Sequence, residues 1–130
     1  MKIQELRIGN LLLDHLGRTL KVSGIKDDYV YCALSNGEKV KYHINTFKPI
    51  KITTEILIQL GFEKHIGWDD MELWREKDWE QKGGNYFDLE EMNNGFEQPS
   101  CAKCEFVHQL QNSYYQHWLN GTELSTKNLL

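Results

Sequence analysis

The chain has no long apolar segment, and this absence limits where it can work. Its longest obvious apolar run, Leu11–Leu13, is bounded by Asn10 and Asp14, whereas a membrane-spanning helix needs about 20 apolar residues. Glu5 and Arg7 lie where a signal peptide would require an unbroken apolar stretch. Hydrophobic residues make up 40% and charged residues 26% of the chain, as in ordinary soluble domains. These features predict a cytoplasmic protein that has no membrane partner.

Cysteines and recognisable catalytic motifs are also scarce. Three cysteines in 130 residues form an odd set, which favours a reducing cytosol over a disulfide framework. The sequence contains no G-x-S-x-G, no glycine-rich phosphate loop and no H-E-x-x-H. The acidic doublets Asp69-Asp70 and Glu90-Glu91 would point to opposite faces of a strand, so neither makes a shared acid–base site. We therefore predict no enzyme activity, no catalytic residues and no cofactor.

One motif in the last third of the chain has the spacing of metal ligands. Cys101, Cys104 and His108 form C-x2-C-x3-H, which could supply three corners of a tetrahedral zinc site. A structural zinc site normally shows two such pairs, and the candidates for a fourth ligand sit at no diagnostic spacing. Those candidates are Cys32, His43, His65 and His117. We predict free thiols without metal, and the alternative is a zinc-stabilised protein-interaction module that uses this motif.

The net charge of -4 is unevenly distributed along the chain. Residues 1–54 hold nine Lys/Arg against five Asp/Glu, a balance of +4, whereas residues 55–130 hold six against fourteen, a balance of -8. Solvated surface alone accounts for many such asymmetries. The alternative explanation of this uneven charge is functional. The basic half would contact an anionic partner, and the acidic half would set solubility or contact a protein. The length suits one domain or two small modules that share a core.

Residues 1–52 have the pattern of short strands separated by turns. The stretches LLLDHLG, RTLKVSGI, YVYCAL, EKVKYHI and FKPIKI are broken at Gly17, at Gly24, at Asp27-Asp28 and at residues 35–37. Strands roughly ten residues apart, with no helix between them, are typical of small barrels and sandwiches. We predict an SH3-like β-barrel module over residues 1–52.

The hairpin over residues 29–44 has two possible registers. A two-residue turn at Asn36-Gly37 would mix apolar and charged side chains on one face of the sheet. A three-residue loop over residues 35–37, with Gly37 left-handed, shifts the pairing by one residue and separates the two kinds. That register places inside the sheet Val30, Cys32, Leu34, Val40, Tyr42 and Ile44. It places outside Tyr29, Tyr31, Lys39, Lys41 and His43.

The outer set of this hairpin combines aromatic rings with positive charge. Small barrels use such surfaces to stack bases and to follow phosphates. We therefore predict that Tyr29, Tyr31, Lys39, Lys41 and His43 bind nucleic acid. The competing interpretation is an ordinary exposed β-sheet face, where Tyr and Lys are both common.

Residues 53–130 predict a second, α+β module that packs with the first as one unit. Thr53 is the expected cap of a short helix that ends at Gly61. The stretches MELWRE and NYFDLEEM are interpreted as antiparallel strands around a turn at residues 82–85, although residues 68–79 also match helical spacing. Residues 93–95 and 98–100 are interpreted as loops.

The clearest periodicity in the chain lies in residues 105–121. An apolar stripe recurs there at spacings of three and four, which defines one face of a helix: Val107, Leu110, Tyr114 and Trp118. Asn120-Gly121 is the expected stop, and His108 is expected at a hydrogen-bonded boundary position. Because this segment contains no Lys or Arg, it is a poor candidate for reading a DNA groove. We predict a core helix that packs across the second sheet.

Several segments of the chain resemble a group of related sequences. They are residues 5–10 (ELRIGN), 49–55 (PIKITTE), 60–63 (LGFE), 107–112 (VHQLQN) and 121–124 (GTEL). The pattern resembles an uncharacterised family of small proteins found in Bacteroides-group genomes, prophages and mobile elements. The resemblance implies a lineage and a phage or mobile-element setting, and it brings no known activity. The chain departs from the family pattern in its longer helix after Asn112 and in Cys101 with Cys104.

Together these features predict an α+β fold. Its parts are an N-terminal SH3-like β-barrel, a short helix, a small antiparallel sheet and a C-terminal amphipathic helix. The expected function is a non-enzymatic binding or adaptor module. Its partner would be nucleic acid, through the basic half, or another protein, through the acidic half.

Overall fold

A computed structural model describes residues 1–34, 36–67, 70–81, 87–92, 95–98, 103–118 and 121–130. These residues form an α+β fold with two antiparallel sheets and two α-helices. The predicted α+β class is therefore confirmed. The longer helix has 11 residues, which is about half of what a bilayer requires. None of the helices in the described part of the chain could span a membrane.

The first sheet is a meander of four strands in the order β1-β2-β3-β4. The strands are β1 (Leu11–Leu13), β2 (Thr19–Lys26), β3 (Tyr29–Ala33) and β4 (Lys39–His43). In the described part of the chain β1 and β4 are the two edges of this sheet, and no pairing between them closes a barrel. Four of the five predicted strands are present, and the sheet that they form is open. The fifth, FKPIKI, was wrong as a strand, since it contributes only isolated bridges at Lys48 and Lys51.

Strand β1 lies between two hydrophobic cores and contributes to both, because neighbouring residues of a strand point to opposite faces. Leu12 packs into a core inside the first sheet, together with Leu20, Val22 and Val30. Leu11 packs into a larger core that contains the second sheet and the C-terminal helix. The two halves of the chain therefore share this strand.

The segment after β4 carries the chain from one sheet to the other. Lys48 forms an isolated bridge with Leu13 of β1, and Lys51 forms another with Phe106. Helix α1 (Thr54–Gln59) follows, and the Thr53 hydroxyl accepts a hydrogen bond from the Ile56 N–H at 3.2 Å. This is the predicted cap, and it satisfies one of the amide groups that a helix start leaves open.

The second sheet has five strands in the order β5-β6-β7-β8-β9. They are β5 (Phe62–Ile66), β6 (Glu72–Glu76), β7 (Asp88–Met92), β8 (Gly95–Glu97) and β9 (Lys103–Cys104). The strand interpretation of MELWRE and of the end of NYFDLEEM is confirmed, whereas the predicted turn at residues 82–85 lies outside the described residues. The loop predicted over residues 93–95 was wrong at Gly95, which opens β8. Strands β8 and β9 have three and two residues, so no period-two pattern could reveal them.

Helix α2 (Val107–His117) is the central element of the larger core. Val107, Leu110 and Tyr114 are at most 1% exposed, and Trp118 packs against the same core. The predicted core helix is confirmed, although it ends at His117 and not at Asn120-Gly121. Its start is fixed by the Gln109 side chain, whose Oε1 accepts from the N–H groups of Glu105 and Phe106.

Polar side chains of α2 fasten the N-terminal segment to the helix. Gln111 Oε1 accepts from the Leu11 N–H, and Gln111 Nε2 donates to the Gly9 carbonyl, both at 2.8 Å. Asn112 Oδ1 accepts from Asn10 Nδ2 at 2.8 Å and from Arg7 Nε at 3.2 Å. These bonds join residues about 100 positions apart, so α2 holds both halves together.

Candidate nucleic-acid interface

The register of the first sheet aligns the predicted outer residues in three cross-strand rows. Directly opposed residues of antiparallel strands share a face, so each row lies on one side of the sheet. The first row is Lys26, Tyr29 and His43, the second is Gly24, Tyr31 and Lys41, and the third is Lys21, Ala33 and Lys39. We call these nine residues the aromatic–basic face.

The predicted hairpin register is confirmed. Tyr29 pairs with His43 and Ala33 pairs with Lys39, and the Leu34 N–H donates to the Glu38 carbonyl at 2.7 Å. Three residues, 35–37, are left in the connection. Gly37 has a φ of 88°, the left-handed conformation that this loop requires. All five predicted site residues therefore lie on one face of the sheet.

A β-bulge in β2 adds two lysines that were not among the predicted site residues. The register shifts between Val22 and Gly24, so both Lys21 and Lys26 point outward. Five positions separate these lysines, and in a regular strand an odd separation would place them on opposite faces. Only a glycine inside a strand pattern signals such a bulge in a sequence, and Gly24 supplied that signal.

The two tyrosines of β3 are held by different neighbours. Tyr31 lies over Gly24, where a Cβ added to the glycine would meet the Tyr31 side chain at 3.6 Å. Tyr29 meets the His43 ring edge-on, with the ring centres 5.4 Å apart. Tyr29 is 43% exposed, and Tyr31 is half-buried. Both rings therefore combine support from the sheet with access from solvent.

The Lys41 ammonium lies over both aromatic rings. Its Nζ is 4.8 Å from the centre of the Tyr29 ring and 5.6 Å from the centre of the Tyr31 ring. A cation at this distance is attracted by the negative face of the ring. The contact places positive charge between the two tyrosines.

His43 presents a donor to solvent from this face. Its Nδ1 accepts a hydrogen bond from the Asn45 N–H at 3.1 Å. Because Nδ1 is the acceptor, the neutral ring carries its proton on Nε2. This N–H is a suitable donor to a phosphate or base oxygen.

The aromatic–basic face has charge of one sign only. Its nine positions include four lysines and no carboxylate, and all four lysines are exposed. The nearest acidic residues in sequence are Asp27, Asp28 and Glu38, which lie in the connections between strands. Like charges at close quarters repel unless a counter-ion joins them. This face therefore suits an anionic ligand that also offers flat, unsaturated rings.

The zinc motif is described only in part. Cys101 lies outside the described residues, and Cys104 and His108 are both buried. Burial raises the pKa of the Cys104 thiol to about 11, against a small opposing effect of its hydrogen bond with Ser113. In the described part of the chain no three His, Cys, Asp or Glu side chains converge as metal ligands. The zinc alternative gains no support from these contacts.

His108 lies deeper than the boundary position predicted for it. It is 1% exposed, and its ring stacks on Phe106 at 6.0 Å. Among the described residues neither ring nitrogen has a partner within hydrogen-bond distance, and the nearest charge is Glu5 Oε2, 3.6 Å from Nε2. The expectation of a hydrogen-bonded boundary histidine was wrong, because the N-terminal segment covers this part of α2.

A second polar cluster lies on the second sheet. Arg75 donates from Nε and Nη2 to the Asp88 carboxylate at 2.7 and 2.8 Å, and its Nη1 lies 3.0 Å from His65 Nε2. The Arg75 guanidinium also lies over the Trp79 ring at 5.0 Å. These contacts engage the guanidinium on its edge and on its face. The cluster is a hydrogen-bonded ion pair that stabilises the pairing of β6 with β7.

A cleft with a volume of about 440 Å³ lies beside the start of α2. Its described lining residues are Met92, Gly95, Phe96, Glu97, Lys103, Glu105 and Gln109. These residues include no serine, cysteine or histidine that could form a nucleophile–base pair.

Comparison with models of known families, with curated proteins and with solved structures finds no match to this chain.

Proposed function

We propose that this chain is a non-enzymatic module that binds nucleic acid on the aromatic–basic face. The observation that carries the proposal is the alignment of four lysines and His43 around Tyr29 and Tyr31, with no carboxylate in the three rows. Lysines supply the phosphate contacts that dominate nucleic-acid affinity. Exposed tyrosines supply stacking surfaces for bases.

The contact between Lys41 and the tyrosines does not prevent base stacking. A cation–π contact at an exposed site contributes about 0.5–1 kcal/mol. Stacking of one base on an aromatic ring contributes about 1–3 kcal/mol. A base therefore displaces the ammonium from the ring, and the lysine then contacts a phosphate on the same strand of nucleic acid.

Two features of the first sheet support a barrel-like arrangement. The bulge between Val22 and Gly24 bends β2, and the bridge between Leu13 and Lys48 adds a further segment beside β1. We propose a half-open, SH3-like barrel for residues 1–52 on these grounds.

The resemblance of residues 5–10 and 107–112 to proteins of prophages and mobile elements fits a nucleic-acid setting in the cytoplasm.

The experiment that tests this function is the salt dependence of oligonucleotide binding. Fluorescence anisotropy of a labelled 12-nucleotide oligothymidylate is measured between about 20 and 200 mM salt. Each phosphate contact contributes about -0.7 to the slope of log K against log salt for a single strand. Removal of two lysines in Lys39→Ala/Lys41→Ala is expected to reduce the slope by about 1.4.

A matched double variant controls for net charge. Lys64→Ala/Lys127→Ala removes the same charge from exposed positions outside the aromatic–basic face. Its affinity and slope are expected to equal those of the unmodified protein. Absence of binding at 20 mM salt, or equal losses in the two double variants, would overturn the proposed function.

A further inference from the structure

The spacing of the two tyrosines selects one form of nucleic acid. Tyr29 and Tyr31 are alternate residues of β3, and a strand rises about 3.4 Å per residue, so their side chains leave the sheet about 6.8 Å apart. Stacked nucleotides of a duplex repeat every 3.4 Å along each strand. Two neighbouring bases therefore reach the two rings only after they have separated from each other.

The Lys41 ammonium lies where the sugar–phosphate backbone between those two bases would pass. It lies 4.8 Å from the Tyr29 ring centre and 5.6 Å from the Tyr31 ring centre, so it serves both stacking positions. Lys26 lies in the row of Tyr29, and Lys39 lies one row beyond Tyr31. The three lysines therefore lie in successive rows along β3, Lys26 on its β2 side and Lys41 and Lys39 on its β4 side.

We infer that the aromatic–basic face binds single-stranded nucleic acid in an extended form. Adjacent bases stack on Tyr29 and Tyr31, the phosphate between them contacts Lys41, and the flanking phosphates contact Lys26 and Lys39. This inference rests on the proposed function and adds a preference for unpaired bases. A duplex hides its base faces inside the stack and offers only phosphates to this surface.

Four labelled probes of equal length separate stacking from charge. They are a 12-nucleotide oligothymidylate, a 12-nucleotide oligouridylate, an abasic 12-nucleotide DNA backbone and a 12-base-pair dT·dA duplex. The duplex carries the highest charge density, so binding by charge alone would favour it. Stacking instead predicts that the oligothymidylate binds at least about tenfold more tightly than the abasic strand, and more tightly than the duplex. The ratio of the affinities for oligothymidylate and oligouridylate decides between DNA and RNA as the ligand.

Variants of the tyrosines test the stacking positions directly. Tyr29→Ala and Tyr31→Ala are each expected to weaken oligothymidylate binding about tenfold and to leave abasic-strand binding unchanged. Tyr29→Phe and Tyr31→Phe keep the ring and are expected to bind as the unmodified protein does. Urea unfolding of all four variants identifies any loss of binding that comes from misfolding, and the Phe variants keep the test valid in that case.

The outcomes distinguish this inference from the function on which it rests. If the duplex and the abasic strand bind as tightly as oligothymidylate, and the Ala variants change nothing, the stacking inference is overturned while nucleic-acid binding stands. If no probe binds at 20 mM salt, the proposed function fails and the inference fails with it.

Discussion

Gln111 and Leu11 are joined by a buried hydrogen bond across 100 positions of sequence, in which the Leu11 N–H donates to Gln111 Oε1 at 2.8 Å. The other half of the same amide donates to the Gly9 carbonyl. Both Gln111 and Leu11 are at most 1% exposed. The side chain thus satisfies two backbone groups at the start of β1, at the edge of the first sheet.

Gln111→Ala is expected to destabilise the protein by about 2–4 kcal/mol, since it leaves two backbone groups without their partner. Gln116→Ala, at an exposed position of the same helix, is expected to change stability by less than about 0.5 kcal/mol. Urea unfolding followed by circular dichroism measures both values. Equal effects of the two variants would show that α2 does not hold the N-terminal segment in this way.

Tyr114 and Glu76 form a second buried contact, in which the Tyr114 hydroxyl donates to Glu76 Oε2 at 2.7 Å. Hydrogen bonds to charged groups contribute about 1.5–3 kcal/mol, so Tyr114→Phe is expected to lower the free energy of unfolding by that amount. Tyr115→Phe on the same helix is the matched control and is expected to be close to neutral. A neutral Tyr114→Phe variant would mean that this bond contributes nothing to the packing of α2 on β6.

His108 predicts a pH dependence of stability. Burial lowers its pKa below the usual 6.5, and the nearby Glu5 carboxylate only partly opposes this effect. In the unfolded chain His108 takes up a proton near pH 6.5, whereas the folded state does so at lower pH. The stabilising contribution is therefore complete above pH 6.5, falls as the pH drops below 6.5, and stops falling below the pKa of the folded state.

The measurement is the free energy of unfolding between pH 5 and 8, for the unmodified protein and for His108→Gln. Other groups titrate in both proteins, so the difference between the two curves isolates His108. Relative to the variant, the unmodified protein is expected to lose stability as the pH falls from 7 to 5. Parallel curves, or a difference of opposite sign, would contradict the buried neutral histidine.

Cys32 and Cys104 are expected to resist alkylation in the native protein. Burial raises the pKa of each thiol to about 11, so only about one in a thousand is a thiolate at pH 8. Mass spectrometry after iodoacetamide treatment is expected to show both cysteines unmodified until urea is added. A separate metal analysis of the untreated protein tests the zinc alternative, which requires stoichiometric zinc that is lost in Cys104→Ser. Rapid labelling of native Cys104 would contradict the burial described for it.

The elements that could be predicted from the sequence are those whose pattern is local. The stripe of Val107, Leu110 and Tyr114 and the cap at Thr53 depend on spacing and on one side chain, and both are confirmed. The register of the first hairpin followed because only one pairing separates apolar from charged residues. That pairing places Tyr29 and Lys41 on the same face of the sheet, where the structure also has them.

The features that were missed depend on contacts between distant parts of the chain. Strand β9 has two residues and exists because it pairs with β8, and Lys26 faces outward because of a bulge two residues earlier. Gln111 does not belong to the predicted apolar stripe, yet it is buried and bonds to Gly9 and Leu11. No local pattern identifies the partners of β9 and of Gln111, whereas Gly24 is the one local indication of the bulge.

Segments from the two ends of the chain contact each other. Arg7, from the ELRIGN segment, bonds to Asn112 of the VHQLQN segment and forms an ion pair with Glu123 of the GTEL segment. The Arg7 guanidinium also lies 4.1 Å from the centre of the Tyr115 ring. Arg7 therefore connects the N-terminal segment to α2 and to the segment that follows it.

In this account the aromatic–basic face of the first sheet is the surface that binds nucleic acid. Chemical-shift mapping of the 15N-labelled protein with unlabelled oligothymidylate at 20 mM salt tests it most directly. Shifts are expected in β2, β3 and β4, at the positions of the aromatic–basic face, and not in α2 or the second sheet. Shifts that concentrate in residues 55–130, or no shifts at all, would contradict the claim.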